Sequence, residues 1–515
     1  MSEQLRLLPG LLTAHLQLTL AALLAGALLS IPLGVFVRRV PRIEGPLLAG
    51  VGAIQTIPAL ALLAGMVPLL VALGLPGIGA LPAFLGLTLY SLLPMLRNTV
   101  TGLSGIDPAV IEAARGVGMT RAQRLRRVEL PLALPTIVAG VRTSAVWTVG
   151  MATLSTPVGA PSLGNFIFSG LQTRNLAAIL VGCVFAAVLA LTLDGLVLAV
   201  SRGHSERRPW LRRAGLAGLG VLAVWALWPM LAAATTPSAR TVRIGAKTFT
   251  EQYILAEVLA GQVRERTGAP VAVSASLGST VAFDALARGE IDAYVEYTGT
   301  IWATLMGRTS NPGDRTRVLA EVTEWLEATH GVGVAARLGF ENAYAFAMPR
   351  AEAQRLGVRR LSDLIPHAAR LRAGGDYEFW SRSEWRDVRA AYGIDFAERR
   401  SMDPALMYTA IEQGQVDLVS AFSSDGRLAA LDLVTLEDDR GAIPPYDAVV
   451  IVGRSLRLAR PDVVAALGEL DGRIPVEQMR ASNLAVDGQG RSPSSVAQEL
   501  LNDLRRRRSD AAPAR

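Results

Sequence analysis

Residues 46–96 contain no aspartate, glutamate, lysine or arginine. A helix that crosses a bilayer needs roughly 20 apolar residues, so this run alone is long enough for two spans. The turn-rich sequence GLPGIGALP at 74–82 marks the expected break between them. The feature therefore predicts a membrane domain in the first half of the chain.

Four further apolar stretches have the length of a membrane span. They cover residues 11–37, 135–157, 176–200 and 211–234. The sequence thus predicts six spans, and membrane bundles tolerate the prolines and glycines within them. Beyond about residue 240 charged residues return at the density of a water-soluble protein, which predicts a soluble second half.

The basic segments indicate how the spans are oriented. Residues 38–45, 112–131 and 201–213 are rich in arginine, and all three fall on one side of a six-span protein. Because loops rich in lysine and arginine stay in the cytoplasm, we place these three loops there. The N-terminus and everything after residue 234 then lie outside.

The overall charge excludes few functions by itself. The net charge is +7, but the arginines lie mostly in short loops and in the sequence RRRR at 505–508. Membrane topology explains the loops better than a nucleic-acid-binding face, so we expect no nucleic-acid partner. We expect residues 506–515 to form a disordered basic tail. Cys183 is the sole cysteine and the four histidines are scattered, so we expect neither a metal nor a cofactor.

Strand and helix patterns alternate after residue 240. Six strands are predicted, at 241–247, 271–276, 291–298, 343–348, 416–422 and 447–452. Two helices are predicted at 251–268 and 279–290. This alternation favours parallel sheets covered by helices. About 265 residues is large for one such core, so we expect two lobes.

The segment EAARGVGMTRAQRLRRVELP (112–131) is short, basic and helix-prone. We expect a first helix through Arg115, a turn at Gly118, and a second helix that Thr120 caps and that runs through Arg127, with Pro131 ending the segment. Two bent helices would then lie just under the bilayer. On charge alone, the segment could equally be a basic loop that only fixes topology.

The spacing of this segment resembles the coupling loop of type I ABC importer permeases, although that family prefers isoleucine where Val128 stands. The resemblance implies that six residues contact a cytoplasmic ATPase subunit: Glu112, Ala113, Ala114, Gly118, Leu130 and Pro131. The sequences IQTIPALALL (54–63) and VGAPSLGNFIFSGL (158–171) are similar to the branch that imports quaternary amines. The resemblance covers about residues 12–200.

The domain organisation implied by this resemblance has a permease of about five helices at 1–205, with the coupling loop at 104–135. A sixth membrane helix and a linker follow at 206–240. The sequence GAKT at 245–248 lacks the glycines of a phosphate-binding loop, so the ATPase should be a separate subunit. The permease should pair with a second copy of itself or with a paralogous permease.

Seven phrases in the soluble half resemble the periplasmic binding proteins for glycine betaine, choline and related osmoprotectants. In order they are GAKTFTEQYILAEVL, LGST, GEIDAYVEYTGT, GFENAYAFAM, YEFWSR, AFSSDGRL and PPYDAVV. The resemblance covers about residues 241–505. It implies a multi-domain chain in which an all-α permease of the type I ABC importer fold precedes a two-lobed α/β periplasmic-binding-protein fold of type II.

The same resemblance implies which residues bind the ligand. A trimethylammonium group has no N–H to donate and is recognised by aromatic faces. The positions that match the family's aromatic cage are Tyr297, Tyr344, Phe422 and Tyr446, with Phe422 replacing the usual tyrosine. Taken singly, each of these rings is better explained by core packing.

Polar residues complete the expected site. Lys247, Thr300 and Arg382 match positions that hold a betaine carboxylate, and Arg suits this role because its fork binds a carboxylate bidentately. Gln252 is expected to add a polar contact and Glu378 a negative charge near the cage. Trp380 and Trp385 should either reshape the pocket or pack between the lobes.

We therefore expect a membrane subunit of an ATP-driven ABC importer, multi-pass in the cell membrane, with an extracytoplasmic domain that captures glycine betaine or a related osmoprotectant. The alternatives within this class are other quaternary ammonium compounds such as ergothioneine, carnitine, choline or proline betaine. A membrane-tethered sensor would use the same binding domain but would need a cytoplasmic signalling domain. An enzyme finds no support, because the sequence has no catalytic triad, metal cluster or nucleotide loop.

Overall fold

The computed structural model of the chain describes residues 2–172, 175–205, 208–235, 241–308, 314–376, 379–402 and 404–511. The chain divides into two compact units whose main boundary falls near residue 239. The first unit is helical, and the second combines helices with two sheets.

The described residues up to 235 form ten α-helices. They are α1 (Ser2–Val37), α2 (Pro41–Thr56), α3 (Ala59–Ala72), α4 (Ala80–Ser104), α5 (Pro108–Gly116), α6 (Arg121–Arg124), α7 (Leu130–Ala152), α8 (Gly164–Gln172), α9 (Leu176–Ser205) and α10 (Pro209–Thr235). A π-helical turn (Leu125–Glu129) joins α6 to α7, and a 3₁₀ turn (Thr153–Val158) follows α7.

By length and composition, five helical segments in the described part of the chain can cross a membrane. They are Leu5–Val37, Ala80–Ser104, Arg121–Val158, Leu176–Gly203 and Pro209–Trp228. A sixth crossing is possible if Arg42–Thr56 and Ala59–Ala72 count as one span, because these two helices are bent by 98°. The charge-free run therefore breaks at a place where the sequence analysis expected none.

The bend has a local cause at Pro58. A proline ring clashes with a helical conformation of the residue before it, and Ile57 accordingly adopts extended angles (φ −72°, ψ 128°). Helix α2 ends at Thr56, and α3 begins immediately after Pro58. The expected break at 74–82 is also present, between α3 and α4.

Helices α1, α4 and α7 form the centre of the first unit. A side chain at Gly140 of α7 would come within 2.7 Å of Asn98 Cβ and of the Pro94 carbonyl, so only glycine allows this approach of α7 to α4. His15 of α1 is fully buried, and its ring nitrogens contact the Val149 carbonyl and the Leu163 amide. Arg142 of α7 binds Asp194 of α9 through two contacts of 2.8 Å.

The second unit contains ten strands and thirteen α-helices among its described residues. The strands are β1 (Val242–Lys247), β2 (Val271–Leu277), β3 (Ala293–Tyr297), β4 (Gly333–Glu341), β5 (Tyr344–Pro349), β6 (Arg372–Gly375), β7 (Glu398–Ser401), β8 (Leu418–Phe422), β9 (Leu433–Thr435) and β10 (Asp447–Val452). The helices are α11 (Thr250–Thr267), α12 (Ser279–Ala287), α13 (Thr298–Thr300), α14 (Arg315–Trp325), α15 (Arg350–Leu356), α16 (Leu361–Leu364), α17 (Ser383–Tyr392), α18 (Pro404–Glu412), α19 (Arg427–Ala430), α20 (Arg454–Ala459), α21 (Pro461–Gly468), α22 (Val476–Asp487) and α23 (Pro493–Ala511).

Two sheets of five strands each define two lobes. The first lobe has the strand order β2-β1-β3-β10-β4, and the second has β7-β6-β8-β5-β9. All six strands predicted from the sequence are present, but the prediction of parallel sheets is correct only for the pairings of β1 with β2 and β3 and of β6 with β7 and β8. Strand β10 runs antiparallel to β3 and β4, and β5 runs antiparallel to β8 and β9.

The antiparallel strands follow from the chain path. Strand β4 leaves the first lobe and β10 returns to it, so these two neighbours run in opposite directions. Their ends pair Glu341 with Asp447, and Arg315 at the start of α14 forms ion pairs with both carboxylates. One arginine thus holds the two crossings between the lobes together.

The C-terminal helices return to the first lobe, where α21, α22 and α23 pack on α11. Helix α23 continues to Ala511, so the expectation of a disordered tail from residue 506 is wrong for residues 506–511; residues 512–515 lie outside the described part. Arginine is a good helix former. In addition, Arg505 pairs with Glu265 of α11, which anchors this end of α23.

Candidate functional site

A cavity of about 300 Å³ lies in the second unit and is lined by residues of both lobes. Seven of the nine ligand-binding residues expected from the sequence line it: Lys247, Tyr297, Thr300, Tyr344, Arg382, Phe422 and Tyr446. Glu378 lies outside the described residues. Their roles in binding stay predictions, but the fold brings these seven together.

Aromatic rings form a continuous wall of the cavity. The rings of Tyr344 and Phe422 have centroids 4.9 Å apart, and Tyr344 meets Tyr446 edge-on at 6.0 Å. Phe249, which the sequence analysis missed, stacks at 6.4 Å from Phe422 and at 6.2 Å from Tyr297. Because Phe249 connects the other rings, the wall has five aromatic members.

Two of the tyrosines donate hydrogen bonds to buried carboxylates. The Tyr297 hydroxyl donates to Glu251 Oε1 at 2.6 Å, and the Tyr446 hydroxyl donates to Glu384. Burial, reinforced by these carboxylates, raises the pKa of both phenols well above the ordinary value. Both rings therefore stay protonated and carry a carboxylate behind them.

Arg382, Thr300 and Lys247 contribute the polar side of the cavity. The Arg382 guanidinium lies 5.7 Å from the Tyr344 ring centroid and 3.6 Å from Glu384. Lys247 is buried, and its ammonium donates to Glu296 while lying 4.8 Å from the Tyr297 ring centroid. Arginine and lysine groups next to aromatic rings can hold an anionic ligand group.

Gln252 supports the site without lining the cavity. Its Oε1 accepts from the Lys247 amide, and its Nε2 donates to the Val295 carbonyl at 2.9 Å and to the Tyr297 hydroxyl at 3.1 Å. The side chain is buried, and its amide oxygen and nitrogen are both hydrogen-bonded to residues of β1 and β3. We therefore assign it to holding Lys247 and Tyr297 in place.

Trp380 and Trp385 lie behind the aromatic wall. Trp385 packs against Phe346 and Phe396, and Trp380 packs against Phe379, all within the second lobe. Phe379 in turn lies 5.0 Å from the Tyr344 ring. Neither tryptophan lines the cavity, and the ring contacts of both lie within the second lobe, so the expectation that they pack between the lobes is wrong. Aromatic neighbours of the second lobe bury Trp385 and half-bury Trp380, and these neighbours supply their packing.

Several polar residues of the cavity were not predicted from the sequence. Glu251 is fully enclosed and accepts hydrogen bonds from Tyr297, Asn342 and Asn483. Burial raises the pKa of its carboxyl, although these donors work in the opposite direction. Asp425, Arg427 and Asp487 form an ion cluster at the same cavity. These residues come from α11, α19, α22 and two connecting segments, and only Asp425 and Arg427 are neighbours in the sequence.

The segment predicted to couple to an ATPase adopts a bent helical pair in the first unit. Helix α5 ends at Gly116, and Gly118 has the positive φ of 75° that turns the chain. The Thr120 side chain accepts from the Gln123 amide in a capping box, which confirms it as the cap of the second helix. Val117 at the bend is 74% exposed.

The second helix does not stop at Arg127 and Pro131 does not end the segment, contrary to the sequence analysis. The chain stays helical from Arg121 to Ala152. The intervening π-helical turn bonds the Leu130 amide to the Leu125 carbonyl, one residue further back than in an α-helix. Such a widened turn accommodates a proline, which has no amide hydrogen to donate.

The fold and the cavity together define a class of protein: a membrane permease joined in one chain to a two-lobed solute-capture domain. Among the described residues no group of three or more histidine, cysteine, aspartate or glutamate side chains could hold a metal ion. The cavity is instead lined with aromatic rings and charged hydrogen-bonding groups.

Comparison with known families agrees with this class. Residues 240–503 match the substrate-binding domain of the ABC-type glycine betaine transport system, and residues 22–210 match the inner membrane component of binding-protein-dependent transport systems. The chain belongs to the family of ABC importers in which such a permease is fused to a glycine betaine-type binding domain. It is a multi-pass membrane protein with an extracytoplasmic binding domain.

Two curated relatives represent the whole chain and its permease. An ergothioneine transport permease/ergothioneine binding protein from Helicobacter pylori (strain G27) is 30% identical over 92% of this chain and 86% of its own length. A choline transport system permease protein from Bacillus subtilis (strain 168) is 43% identical over 36% of this chain and 83% of its own length.

One solved structure is similar to part of the chain. It is described as a glycine betaine/carnitine/choline ABC transporter and is 28% identical. It covers 51% of this chain and 98% of its own, with a TM-score of 0.46.

Proposed function

We propose that the binding domain captures a zwitterion that carries a trimethylammonium group and a carboxylate, and that the permease carries it into the cell. The observation that supports this best is the five-membered aromatic wall facing Arg382 in one cavity. Each aromatic face stabilises a diffuse cation by about 0.5–2 kcal/mol. A bare ammonium ion would instead require acceptors for its N–H groups.

The charges of the cavity residues determine which residues bind each charged group of the ligand. The trimethylammonium group sits against the rings of Tyr297, Tyr344, Phe422 and Tyr446, and Phe249 extends this surface. Glu251 and Glu384 add negative charge behind two of these rings. Arg382, helped by Thr300 and Lys247, binds the carboxylate. Closure of the two lobes about the crossings at Glu341 and Asp447 then encloses the ligand.

ATP hydrolysis belongs to a separate subunit in this proposal. The bent pair around Gly118 is the contact for that ATPase, with Val117 exposed at its tip. Two permease chains, identical or paralogous, would work with two ATPase subunits. The purified chain alone should hydrolyse no ATP, and hydrolysis by a homogeneous preparation would contradict the assignment.

Calorimetric titration of the detergent-purified full chain tests the ligand class. Glycine betaine, carnitine, choline and ergothioneine are the probes, and unrelated amino acids are the controls. Binding of at least one trimethylated zwitterion with micromolar or tighter affinity is expected. If none of the four binds, the assignment of the aromatic wall to a quaternary ammonium group is wrong.

Ergothioneine is the second candidate within this class. The relative from Helicobacter pylori that is similar over 92% of this chain carries that substrate in its name, and it shares the fused arrangement. The same titration separates the two candidates, because ergothioneine and glycine betaine compete for one cavity and their affinities can be ranked directly.

A further inference from the structure

Arg97 is a charged residue inside a membrane-spanning helix. It follows directly on the charge-free run 46–96 and belongs to α4. It lies seven residues before Ser104, where α4 ends, so its Cα is about 10 Å from the helix end. The side chain is exposed, and no side-chain hydrogen bond or ion pair joins it to another described residue. A charge inside a membrane is costly and ordinarily marks a functional site.

The packing of α7 against α4 fixes the depth of Arg97. Gly140 of α7 meets the neighbouring residue Asn98 so closely that a Cβ at Gly140 would lie 2.7 Å from it. Gly140 is ten residues from the start of α7 and twelve from its end. Arg97 therefore lies level with the middle of α7, well inside the roughly 30 Å of the hydrocarbon core.

Helix α1 covers one side of both α4 and α7. It meets α4 where a Cβ at Gly34 would lie 2.7 Å from the Thr99 side chain, and it meets α7 where the His15 ring contacts the Val149 carbonyl at 3.1 Å. Arg97 stands two residues before Thr99, and residues two apart in a helix are turned by about 200° from each other. Arg97 therefore lies on the side of α4 opposite α1.

The side of α7 opposite α1 is uncovered as well. Ile137 belongs to a cluster against which Ile31 of α1 packs. Ala139, two residues further on, and Thr143, one turn later, are both exposed. Because α1 lies against both α4 and α7, their opposite sides form one common surface. We call its exposed residues the uncovered face: Arg97, Thr101, Ala139 and Thr143.

A comparison with α9 separates the uncovered face from a lipid-facing surface. Helix α9 presents aliphatic side chains that are each more than half exposed: Leu180, Val184, Val188 and Leu191. Such a surface suits lipid tails. The uncovered face instead carries a guanidinium, and charged side chains within a membrane face water or protein rather than lipid.

Arg97 is the arginine that is left to bind a passing anion. Arg142 of α7 lies at a similar depth, but Asp194 of α9 binds its guanidinium through two contacts of 2.8 Å. Among the described residues Arg97 has no such carboxylate. A guanidinium binds a carboxylate in a bidentate manner, so the chemistry of Arg97 matches the acidic end of a zwitterion.

We propose that Arg97 binds the carboxylate of the zwitterion as it crosses the membrane, and that the uncovered face lines a water-filled pathway. This inference rests on the proposed function and adds a ligand contact within the permease, separate from the cavity of the binding domain. Binding at Arg97 should be weak, because a site within a pathway must also release what it binds.

Cysteine labelling tests the water-filled pathway without any ligand. In a Cys183→Ala chain, Thr143→Cys on the uncovered face should react with a membrane-impermeant methanethiosulfonate reagent present on both sides of membrane vesicles. Val188→Cys on the aliphatic surface of α9 should not react, because lipid surrounds it. If Thr143→Cys stays unreactive with and without ATP, or reacts no faster than Val188→Cys, the uncovered face is not a water-filled pathway.

Uptake by the full chain reconstituted with its ATPase subunit tests the carboxylate contact. The radiolabelled probe is whichever of glycine betaine, carnitine and ergothioneine binds the purified chain most tightly. Arg97→Gln should lower uptake about tenfold while calorimetric affinity stays unchanged, and Arg97→Lys, which keeps the charge but loses the bidentate fork, should lower it less. Arg39→Gln, exposed in the loop after α1, is the matched control and should leave uptake unchanged.

Two results of the uptake experiment would overturn the contact. Unchanged uptake in Arg97→Gln would show that no carboxylate depends on this side chain. A loss that disappears in vesicles without anionic lipid would make Arg97 a lipid contact. Should Arg97→Gln lack a cooperative unfolding transition, Arg97→Lys decides, and uptake equal to that of the wild-type chain would contradict the proposal.

The two proposals fail in different ways. If none of the three zwitterions binds the wild-type chain, the proposed function is wrong and the carboxylate contact falls with it, whereas the labelling still decides whether the uncovered face meets water. If a zwitterion binds and is taken up equally well by Arg97→Gln, the proposed function stands and only the contact at Arg97 is wrong.

Discussion

At the scale of single residues, Arg382 distinguishes a zwitterion from a simple cation. Replacing it by alanine should weaken glycine betaine or carnitine binding by about 10- to 100-fold, because a hydrogen bond between charged groups contributes about 1.5–3 kcal/mol. Choline has no carboxylate and should lose much less. Calorimetry on the purified chain measures both affinities.

The control for this prediction lies on α17, the helix that begins directly after Arg382. Arg386 of α17 is exposed and does not line the cavity, so Arg386→Ala should leave both affinities unchanged. Equal losses for the betaine and for choline in Arg382→Ala would remove the proposed carboxylate contact.

The hydrogen bond from Tyr446 to Glu384 gives a second prediction. Tyr446→Phe keeps the ring but takes a donor from a carboxylate that is 1% exposed, which should cost about 1–3 kcal/mol of stability. Ligand affinity should fall severalfold, because the ring loses the contact that fixes it and enriches its electron density. Thermal unfolding and calorimetry of the full chain measure the two effects.

Tyr392 provides the matched control, since its hydroxyl donates to Asp438 and it does not line the cavity. Tyr392→Phe should lower the unfolding temperature and leave ligand affinity unchanged. The role assigned to the Tyr446 hydroxyl is wrong if the two variants bind ligand equally well.

The sequence carried much of the information at this scale, but not all of it. Phrases similar to a known family pointed to seven residues that do line one cavity. Phe249 and Glu251 lie inside the first of these phrases and were still missed. An acidic residue on a helix is ordinarily solvated, and only the packing of α22 and the crossing at Asn342 over α11 encloses Glu251. Burial produced by three distant elements leaves no local pattern.

At the scale of secondary-structure elements, the turn at Gly118 connects the two helices of the proposed coupling segment. Its φ of 75° disfavours any side chain by about 1–2 kcal/mol, although nothing lies within 4 Å of the position that a Cβ would occupy. Gly118→Ala should therefore strain the turn itself. We expect ligand-stimulated ATP hydrolysis by the reconstituted complex to fall severalfold while ligand affinity stays unchanged.

Gly116 offers a control two residues away, with open space around it and an ordinary helical φ. Gly116→Ala should leave the stimulated ATPase rate close to the wild-type rate. Loss of stimulation in both variants would mean that any added methyl group is harmful there, and the specific role of the turn would be lost.

Elements were predicted well where local chemistry decides them. The Thr120 cap, the break before α4 and six strands follow from short patterns. The 98° bend between α2 and α3 was missed because the spans were predicted only from the length of the apolar run. The bend arises because the proline at 58 disfavours a helical conformation of Ile57. The direction of β10 was also missed, since it depends on the chain having first passed through the second lobe.

At the scale of the whole molecule, the subunit composition of the importer is open to direct measurement. We propose that the permease acts as a pair, and this chain carries its own binding domain. Native mass spectrometry of the complex with its ATPase should show two copies of this chain and two ATPase subunits. One copy with a different permease would indicate the paralogous arrangement instead.

The covalent link between permease and binding domain has a consequence for the kinetics of uptake. In importers with a separate receptor, a surplus of empty receptor competes with loaded receptor for the permease. Here each permease chain brings one receptor at a fixed, high local concentration. A cell that makes more of this protein should raise its maximal uptake rate while the solute concentration for half-maximal uptake stays the same. The apparent affinity of uptake is then set by the binding cavity of the chain itself. The cell cannot adjust this affinity by changing the amount of receptor relative to permease.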